Sequence, residues 1–86
     1  MKTYKIQGRT VAQITLPSPS DSDPHPSLLL GGPDGYRIPT GATFTAWLPG
    51  GWKYISLEAR WEIEGPGCWY VPRHPGLCPI GLFVQV

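Results

Sequence analysis

The sequence predicts a small all-β domain, and three observations lead to that fold class. Apolar and polar residues alternate with a period of two from about residue 43 to residue 63, which is typical of half-buried strands and not of helices. Glycine and proline are abundant, with 11 of each among the 86 residues. Four tryptophans, four tyrosines and two phenylalanines argue against disorder. We therefore expect a compact, turn-rich antiparallel barrel of about five strands.

The N-terminal part divides into a strand segment over 1–16 and a Pro/Ser-rich segment over 17–27, followed by the barrel proper over 28–86. One parity of the first segment is mostly apolar: Tyr4, Ile6, Ala12, Ile14 and Leu16. Gly8 interrupts this alternation, so we favour a single strand that bends at Gly8. The alternative is a hairpin that turns at Gln7 and Gly8, but this hairpin would pair Ile6 with Arg9 and turn Ile14 outward. The 17–27 segment is interpreted as a surface loop or a linker, since its prolines disfavour packed elements.

The clearest element is a hairpin whose turn is the sequence Leu48-Pro49-Gly50-Gly51. Proline followed by glycine suits the central positions of a type II turn. Closing the hairpin at this turn pairs Phe44 with Ile55 on one face. It pairs Trp47 with Trp52, and Thr45 with Tyr54, on the other. The Gly31-Gly32-Pro33-Asp34-Gly35 cluster, just before the hairpin, is interpreted as a turn.

Alternation continues beyond the hairpin and predicts one long strand over 52–64 with a bend near 58–60. A turn at 65–67 would then pair Ile63 with Trp69 and Trp61 with Val71, all on the core side, with Glu62 opposite Tyr70 outside. The last strand is expected over 80–86. Its inward residues would be Ile80, Leu82, Val84 and Val86.

Composition excludes several classes of function. Seven basic and six acidic residues give a net charge of +1, too balanced for a dedicated phosphate-backbone binder. No apolar run approaches the eighteen residues of a membrane-spanning helix, so we expect no membrane span and a cytoplasmic protein. No arrangement of serine, histidine and carboxylates resembles a catalytic site, so we expect no enzyme activity and no cofactor.

The two cysteines leave alternatives open. Cys68 and Cys78 flank His74, and with His25 they are residue types that bind zinc, but their spacing matches no compact zinc knuckle. A disulfide between the two cysteines is a second alternative, which a cytoplasmic location disfavours. Ordinary thiols are the favoured interpretation, with no metal site.

The aromatic residues of the hairpin are the candidate site. The predicted register places Trp47, Trp52 and Tyr54 together on the face opposite the core. An exposed aromatic patch usually marks a site for a partner. Lys53 and Arg60 are predicted to frame this patch, and Arg37 is a further candidate. The alternative is that the N-terminal segment or the 17–27 segment folds over these rings and buries them.

The chain from Gly35 onward carries a recognisable set of motifs: Gly-x-Arg-Ile-Pro-Thr-Gly from 35, Phe44, Leu48-x-Gly-x-Trp, Leu57-Glu58, Trp69-Tyr70 and Gly81-Leu82-x-Val84. This pattern resembles a family of small uncharacterised bacterial domains, about seventy residues long, often carried on phages and mobile elements. The resemblance covers residues 28–86 and implies no catalytic residues. Cys68 departs from the glycine of that pattern, and the 17–27 segment is additional.

The tryptophan-rich hairpin and the Gly81-Leu82-Phe83-Val84 end are also similar to SH3-type barrels. The likeness implies a small SH3-like barrel. The sequence lacks the Ala-Leu-Tyr-Asp-Tyr-like motif and the acidic loop of the polyproline groove, which puts binding of PxxP peptides in doubt.

The function predicted from these features is a non-enzymatic protein-interaction module. We expect a phage or mobile-element accessory protein that binds and modulates a larger host protein, with no membrane partner, as a monomer or a homodimer. The alternative is a nucleic-acid-binding barrel. In that alternative the aromatic rings stack on bases, and the phosphates are contacted by Lys2, Lys5, Arg9, Lys53 and Arg60.

Overall fold

A computed structural model describes residues 1–17 and 25–86. The elements are short strands and one turn of 3₁₀ helix: β1 (Tyr4–Ile6), β2 (Arg9–Thr15), β3 (Leu28–Leu30), β4 (Tyr36–Ile38), β5 (Thr43–Leu48), β6 (Gly51–Ser56), β7 (Glu58–Ala59), the 3₁₀ helix (Pro66–Cys68), β8 (Trp69–Tyr70) and β9 (Phe83–Gln85). Every strand pairing is antiparallel. The predicted all-β class is therefore confirmed.

The main sheet has the strand order β4-β3-β2-β9-β5-β6, with β1 also paired to β2. Within the described residues β4 and β6 lie at the two ends and do not pair with each other, so the sheet is not closed. The physical reason lies after β6, where the chain leaves the main sheet and β7 pairs instead with β8 in a separate two-stranded ribbon. The predicted small antiparallel, barrel-like fold is therefore confirmed, although its sheet does not close.

The β5–β6 hairpin has the predicted register. Phe44 pairs with Ile55, Thr45 with Tyr54 and Trp47 with Trp52. Gly50 has a φ of 96°, the positive value that the third position of a type II turn requires. Ile55 on one face is buried, together with Ala46 and Leu48 of β5, and Tyr54 on the other face is exposed. The hairpin thus separates a core face from an outer face.

The core lies on one side of the sheet and under the β7–β8 ribbon. Its fully buried members come from distant parts of the chain, because each strand is too short to bury much alone: Ala12, Ile14, Leu28, Ala46, Leu57, Cys68 and Val84. Trp69 joins them, and its indole N–H donates to the carbonyl oxygen of Pro26 at 2.9 Å. This bond fixes the far end of the 17–27 segment against the core. Residues 18–24 lie outside the described part of the chain.

The N-terminal prediction of one bent strand is wrong. Ile6 pairs with Arg9, so β1 and β2 form a hairpin. Gln7 and Gly8 occupy its turn with φ values of 48° and 77°, as a two-residue type I′ turn requires. The bent strand was favoured because a hairpin seemed to expel Ile14 from the core. Ile14 is nevertheless fully buried, because Ile6 shares the outer face with its partner Arg9, while Ala12 and Ile14 lie on the core face of β2.

The prediction of a long strand over 52–64 is also wrong. Strand β6 ends at Ser56. The separate strand β7 ends at Ala59, which pairs with Trp69, while Glu58 pairs with Tyr70. The register is therefore shifted from the predicted one, and Glu62 does not face Tyr70. Trp61 is 52% exposed and Ile63 40% exposed, outside the core in which we predicted them. The loop that follows β7 also contains the 3₁₀ helix, so it spans more residues than the predicted tight turn.

The predicted inward positions of the last segment are partly correct. Val84 is fully buried and pairs with both Ala12 and Ala46, which makes β9 the central strand of the sheet. Ile80 and Leu82 are half-buried against the core. Val86 is 48% exposed because the last strand ends at Gln85.

Candidate functional site

Two tryptophans lie side by side on the outer face of the hairpin. Trp47 and Trp52 are directly opposed in the β5–β6 register. Their ring centroids are 5.0 Å apart, with the planes tilted by 58°. Both side chains are half-buried. The predicted juxtaposition of these two rings on the face opposite the core is confirmed.

An open cleft of about 620 Å³ lies beside this pair, at the turn end of the hairpin. Its lining comes from the tryptophans, the turn and the N-terminal hairpin: Gln7, Trp47, Leu48, Pro49, Gly50, Gly51 and Trp52. None of these side chains carries a charge, and the two turn glycines leave the backbone accessible. A cleft of this kind suits a large apolar side chain more than a charged ligand.

Trp52 is held in place by the N-terminal hairpin. Its indole N–H donates to the Gln7 side-chain carbonyl oxygen at 3.2 Å. The Arg9 guanidinium lies 4.5 Å from the centroid of the same ring, within cation–π range. Arg9 in turn donates to the Gln85 side-chain oxygen at 3.2 Å. The N-terminal segment thus supports the Trp52 ring on one side and leaves the cleft open on the other.

The aromatic surface extends across the sheet beyond the two tryptophans. Trp47 is the register partner of Phe83 on β9. The Phe83 ring makes an edge-to-face contact with Tyr4, at a centroid distance of 5.5 Å. We call the four residues Trp52, Trp47, Phe83 and Tyr4 the aromatic band. Sequence reasoning missed its β9 member, although the parity of residues 80–86 already placed Phe83 on the outward side.

Gln7 and Arg9 were also missed as supports of the tryptophan pair. They reach Trp52 only because β1 and β2 form a hairpin, which the favoured sequence interpretation did not include. The signal available in the sequence was the Gln7-Gly8 dipeptide, whose glycine suits a two-residue turn.

The remaining predicted site residues lie elsewhere. Tyr54 is 73% exposed and lines a second cleft, of about 440 Å³, at the other end of β6. Lys53 is exposed at the edge of β6, and its backbone pairs with the buried Ala46. Arg60 follows the β7–β8 ribbon, where its guanidinium lies 4.5 Å from the Tyr70 ring centroid. The structure therefore brings Trp47 and Trp52 into one cleft without Lys53 or Arg60 among its lining residues. Arg37 is exposed on β4.

The cysteines and histidines are not gathered into one cluster. Residues 1–17 and 25–86 contain no group of three metal-ligating side chains. Cys68 is buried in the core and Cys78 is exposed, and the two do not form a disulfide. The His25 ring packs edge-to-face on Trp61, with a centroid distance of 5.4 Å. These residues hold no arrangement that we can assign to a metal.

No family model, curated protein or solved structure matches the chain. The one helix in the described ranges is the three-residue 3₁₀ turn, so none there has the length and apolar character needed to span a bilayer.

Proposed function

We propose that this chain is a non-enzymatic protein-interaction module, and that the Trp47–Trp52 cleft binds the partner. The observation that carries the proposal is the pair of half-buried tryptophans, 5.0 Å apart, beside an open and uncharged cleft. Tryptophan is enriched among residues that dominate binding energy at protein interfaces. It buries a large area while losing little rotamer freedom.

The support of Trp52 by Gln7 and Arg9 favours binding. A ring that is already held by a hydrogen bond and a cation–π contact loses less conformational freedom when a partner covers it. Preorganisation of this kind raises affinity without adding contacts. The same contacts leave the cleft side of the ring pair open.

The partner in this proposal is a larger host protein that the module modulates from within the cytoplasm. We also propose, from the resemblance of residues 28–86, that the chain is an accessory protein of a phage or mobile element. A large partner suits a small surface module, since the aromatic band and the cleft offer one face for docking.

Nucleic-acid binding is the second candidate function, and a specific observation favours it. Two cations lie against rings of the aromatic band: Arg9 against Trp52, and Lys2, whose ammonium is 5.5 Å from the Tyr4 ring centroid. Alternating cations and aromatic rings are typical of surfaces that bind single strands. The net charge of +1 argues for the protein partner.

The experiment is affinity capture from host lysate, with and without nuclease. The bait is the whole chain in three forms: wild type, Trp47→Ala/Trp52→Ala, and Trp61→Ala. Trp61 is the matched control, because it is an exposed tryptophan outside the cleft. Circular dichroism and thermal unfolding of each bait verify that it is folded.

The proposal expects a protein that survives nuclease, is retained by the Trp61→Ala bait and is lost from the double variant. Retention that vanishes with nuclease supports the nucleic-acid candidate instead, which must then show affinity for a labelled single strand that falls steeply with salt. Equal retention by wild type and the double variant would overturn the assignment of the cleft.

A further inference from the structure

Strand β6 is an edge of the main sheet. It pairs with β5 on one side, and no strand among the described residues pairs with its other side. Edge strands present unpaired backbone donors and acceptors, which can pair with a further strand. The β6 edge borders the proposed binding cleft, because Gly51 and Trp52 line that cleft.

The hydrogen-bond pattern shows which backbone groups point outward. Leu57 donates its N–H to the Ala42 carbonyl oxygen at 2.9 Å, and its own carbonyl accepts from Gly41 at 2.7 Å. Leu57 therefore turns its backbone groups toward β5. Because these groups alternate along an antiparallel strand, the N–H and C=O of residues 52, 54 and 56 face the open edge.

The two clefts lie at opposite ends of this edge. The first is at the turn end, beside Trp52. The second is lined by Tyr54 and Ser56 of β6 and by Arg73 and His74 of the loop after β8. The side chains of Trp52, Tyr54 and Ser56 share one face of the strand, since they are separated by two positions. One extended segment along β6 would therefore pass both clefts on the same face.

The charges along the edge differ between the two ends. The lining of the first cleft is uncharged. The second cleft is lined by one cation, Arg73, and one carboxylate, Glu58, so its charges offset each other. A polar, uncharged side chain is therefore favoured at this end, and an apolar one at the first. Lys53 is exposed on the opposite face of β6, since it pairs with Ala46. A second copy paired along this edge would bring two such cations to one face, which disfavours pairing of β6 with itself.

We propose that the β6 edge binds one extended peptide segment of the partner as an added strand. The segment carries a large apolar side chain opposite Trp52 and a polar, uncharged side chain opposite Ser56. These two side chains are four positions apart, or roughly 13 Å at ~3.3 Å per residue. Main-chain hydrogen bonds supply affinity and the two clefts supply specificity. This inference rests on the proposed function and names the partner's chemistry.

The first test changes the edge of the protein. Tyr54→Pro removes an N–H that faces outward, so the β5–β6 hydrogen bonds remain. Tyr54→Ala is the matched control, because it removes the side chain and keeps that N–H. The probes are peptides selected from a random heptapeptide library against the whole wild-type chain. We expect the selected peptides to share a large apolar residue and a polar, uncharged residue four positions apart, and Tyr54→Pro to weaken their binding about tenfold relative to Tyr54→Ala.

The second test leaves the protein intact, so it is informative even if Tyr54→Pro does not fold. Single backbone N-methyl groups are introduced along a selected peptide. Strand addition predicts that methylation weakens binding at alternate positions and is tolerated at the positions between them. Equal tolerance at every position overturns the inference, as does a library that yields no binding peptide.

The outcomes separate this inference from the proposed function. In one outcome, capture of a host protein depends on Trp47 and Trp52, but the peptide tolerates N-methylation equally at every position. This outcome supports the interaction module and overturns strand addition. If capture is the same with and without Trp47 and Trp52, the proposed function of the cleft is itself overturned. Concentration-dependent protection of the residue 54 amide from hydrogen exchange, in the chain alone, would mean that a second copy occupies the edge, which also overturns the peptide assignment.

Discussion

The indole N–H of Trp52 donates to the side-chain oxygen of Gln7 at 3.2 Å, across 45 positions of sequence. Gln7 occupies the first central position of the β1–β2 turn, with a φ of 48°. Glutamine is not a favoured residue for this conformation, whereas asparagine and glycine are. The longer side chain reaches Trp52, which accounts for a glutamine at a position where the turn alone would favour a shorter residue.

Gln7→Asn is predicted to keep the turn and to release Trp52. Asparagine accepts positive φ more readily, so we expect the free energy of unfolding to stay within about 0.5 kcal/mol of wild type. Its shorter side chain does not reach the indole, so the Trp52 indole resonance should move in a ¹⁵N–¹H spectrum. An unchanged resonance with an intact fold would show that Gln7 does not hold this ring.

The tryptophans are predicted to differ in what they contribute to stability. Trp69 is 5% exposed and lies in the core, so Trp69→Ala should cost about 3–5 kcal/mol. Trp47→Ala/Trp52→Ala removes a half-buried ring pair on the outer face, which should cost about 1–3 kcal/mol. Denaturant unfolding of the two variants measures the difference. A double variant as unstable as Trp69→Ala would place the ring pair in the structural core.

Gly35 is predicted to be required for the turn between β3 and β4. A Cβ at this position would collide with the backbone carbonyl of Leu30, which cannot rotate away as the end of a flexible side chain could. We therefore expect Gly35→Ala to cost about 1–3 kcal/mol or to unfold the chain. Gly67→Ala is the matched control, since nothing lies within 4 Å of its Cβ and its φ is not positive. Thermal unfolding should show a large loss for the first variant and little change for the second.

The two cysteines are predicted to react at different rates. Cys78 is exposed and Cys68 is fully buried. A thiol reagent added to the native protein should modify Cys78 rapidly. It should modify Cys68 only as the chain unfolds. Mass spectrometry of the modified peptides identifies each site. Rapid modification of both under native conditions would contradict the packing of the 3₁₀ helix against the core.

Sequence reasoning was most accurate where local chemistry and long alternation agreed. The Pro49-Gly50 turn fixed the register of β5 and β6, and that register placed Trp47 opposite Trp52. The prediction failed where alternation continued beyond the end of a strand. Glu58 and Ala59 pair with β8, and the alternating residues after them, including Trp61, form an exposed loop. Alternation of apolar and polar residues indicates which residues could share a face of a strand. It does not indicate where the pairing with a neighbouring strand ends.

The site was only partly predictable for the same reason. Trp47 and Trp52 are paired by a local turn, whereas Gln7 and Gln85 reach the site through long-range strand pairing. The two-residue turn at Gln7 and Gly8 is the less favoured alternative in the sequence, because with Ile6 facing the core it would turn Ile14 outward. Ile6 instead pairs with Arg9 on the outer face, and what covers that face depends on the order of strands in the sheet, which one sequence does not specify.

The most direct test of the central claim uses the four tryptophans as reporters. Each gives one indole resonance in a ¹⁵N–¹H spectrum, and two of the rings, Trp47 and Trp52, line the cleft while Trp61 and Trp69 do not. The protein recovered by lysate capture is titrated into the labelled chain. The account predicts that the Trp47 and Trp52 resonances shift or broaden first, while Trp69 stays in place. Movement of Trp61 and Trp69 with unchanged Trp47 and Trp52 would contradict it and place the binding surface at the β7–β8 ribbon.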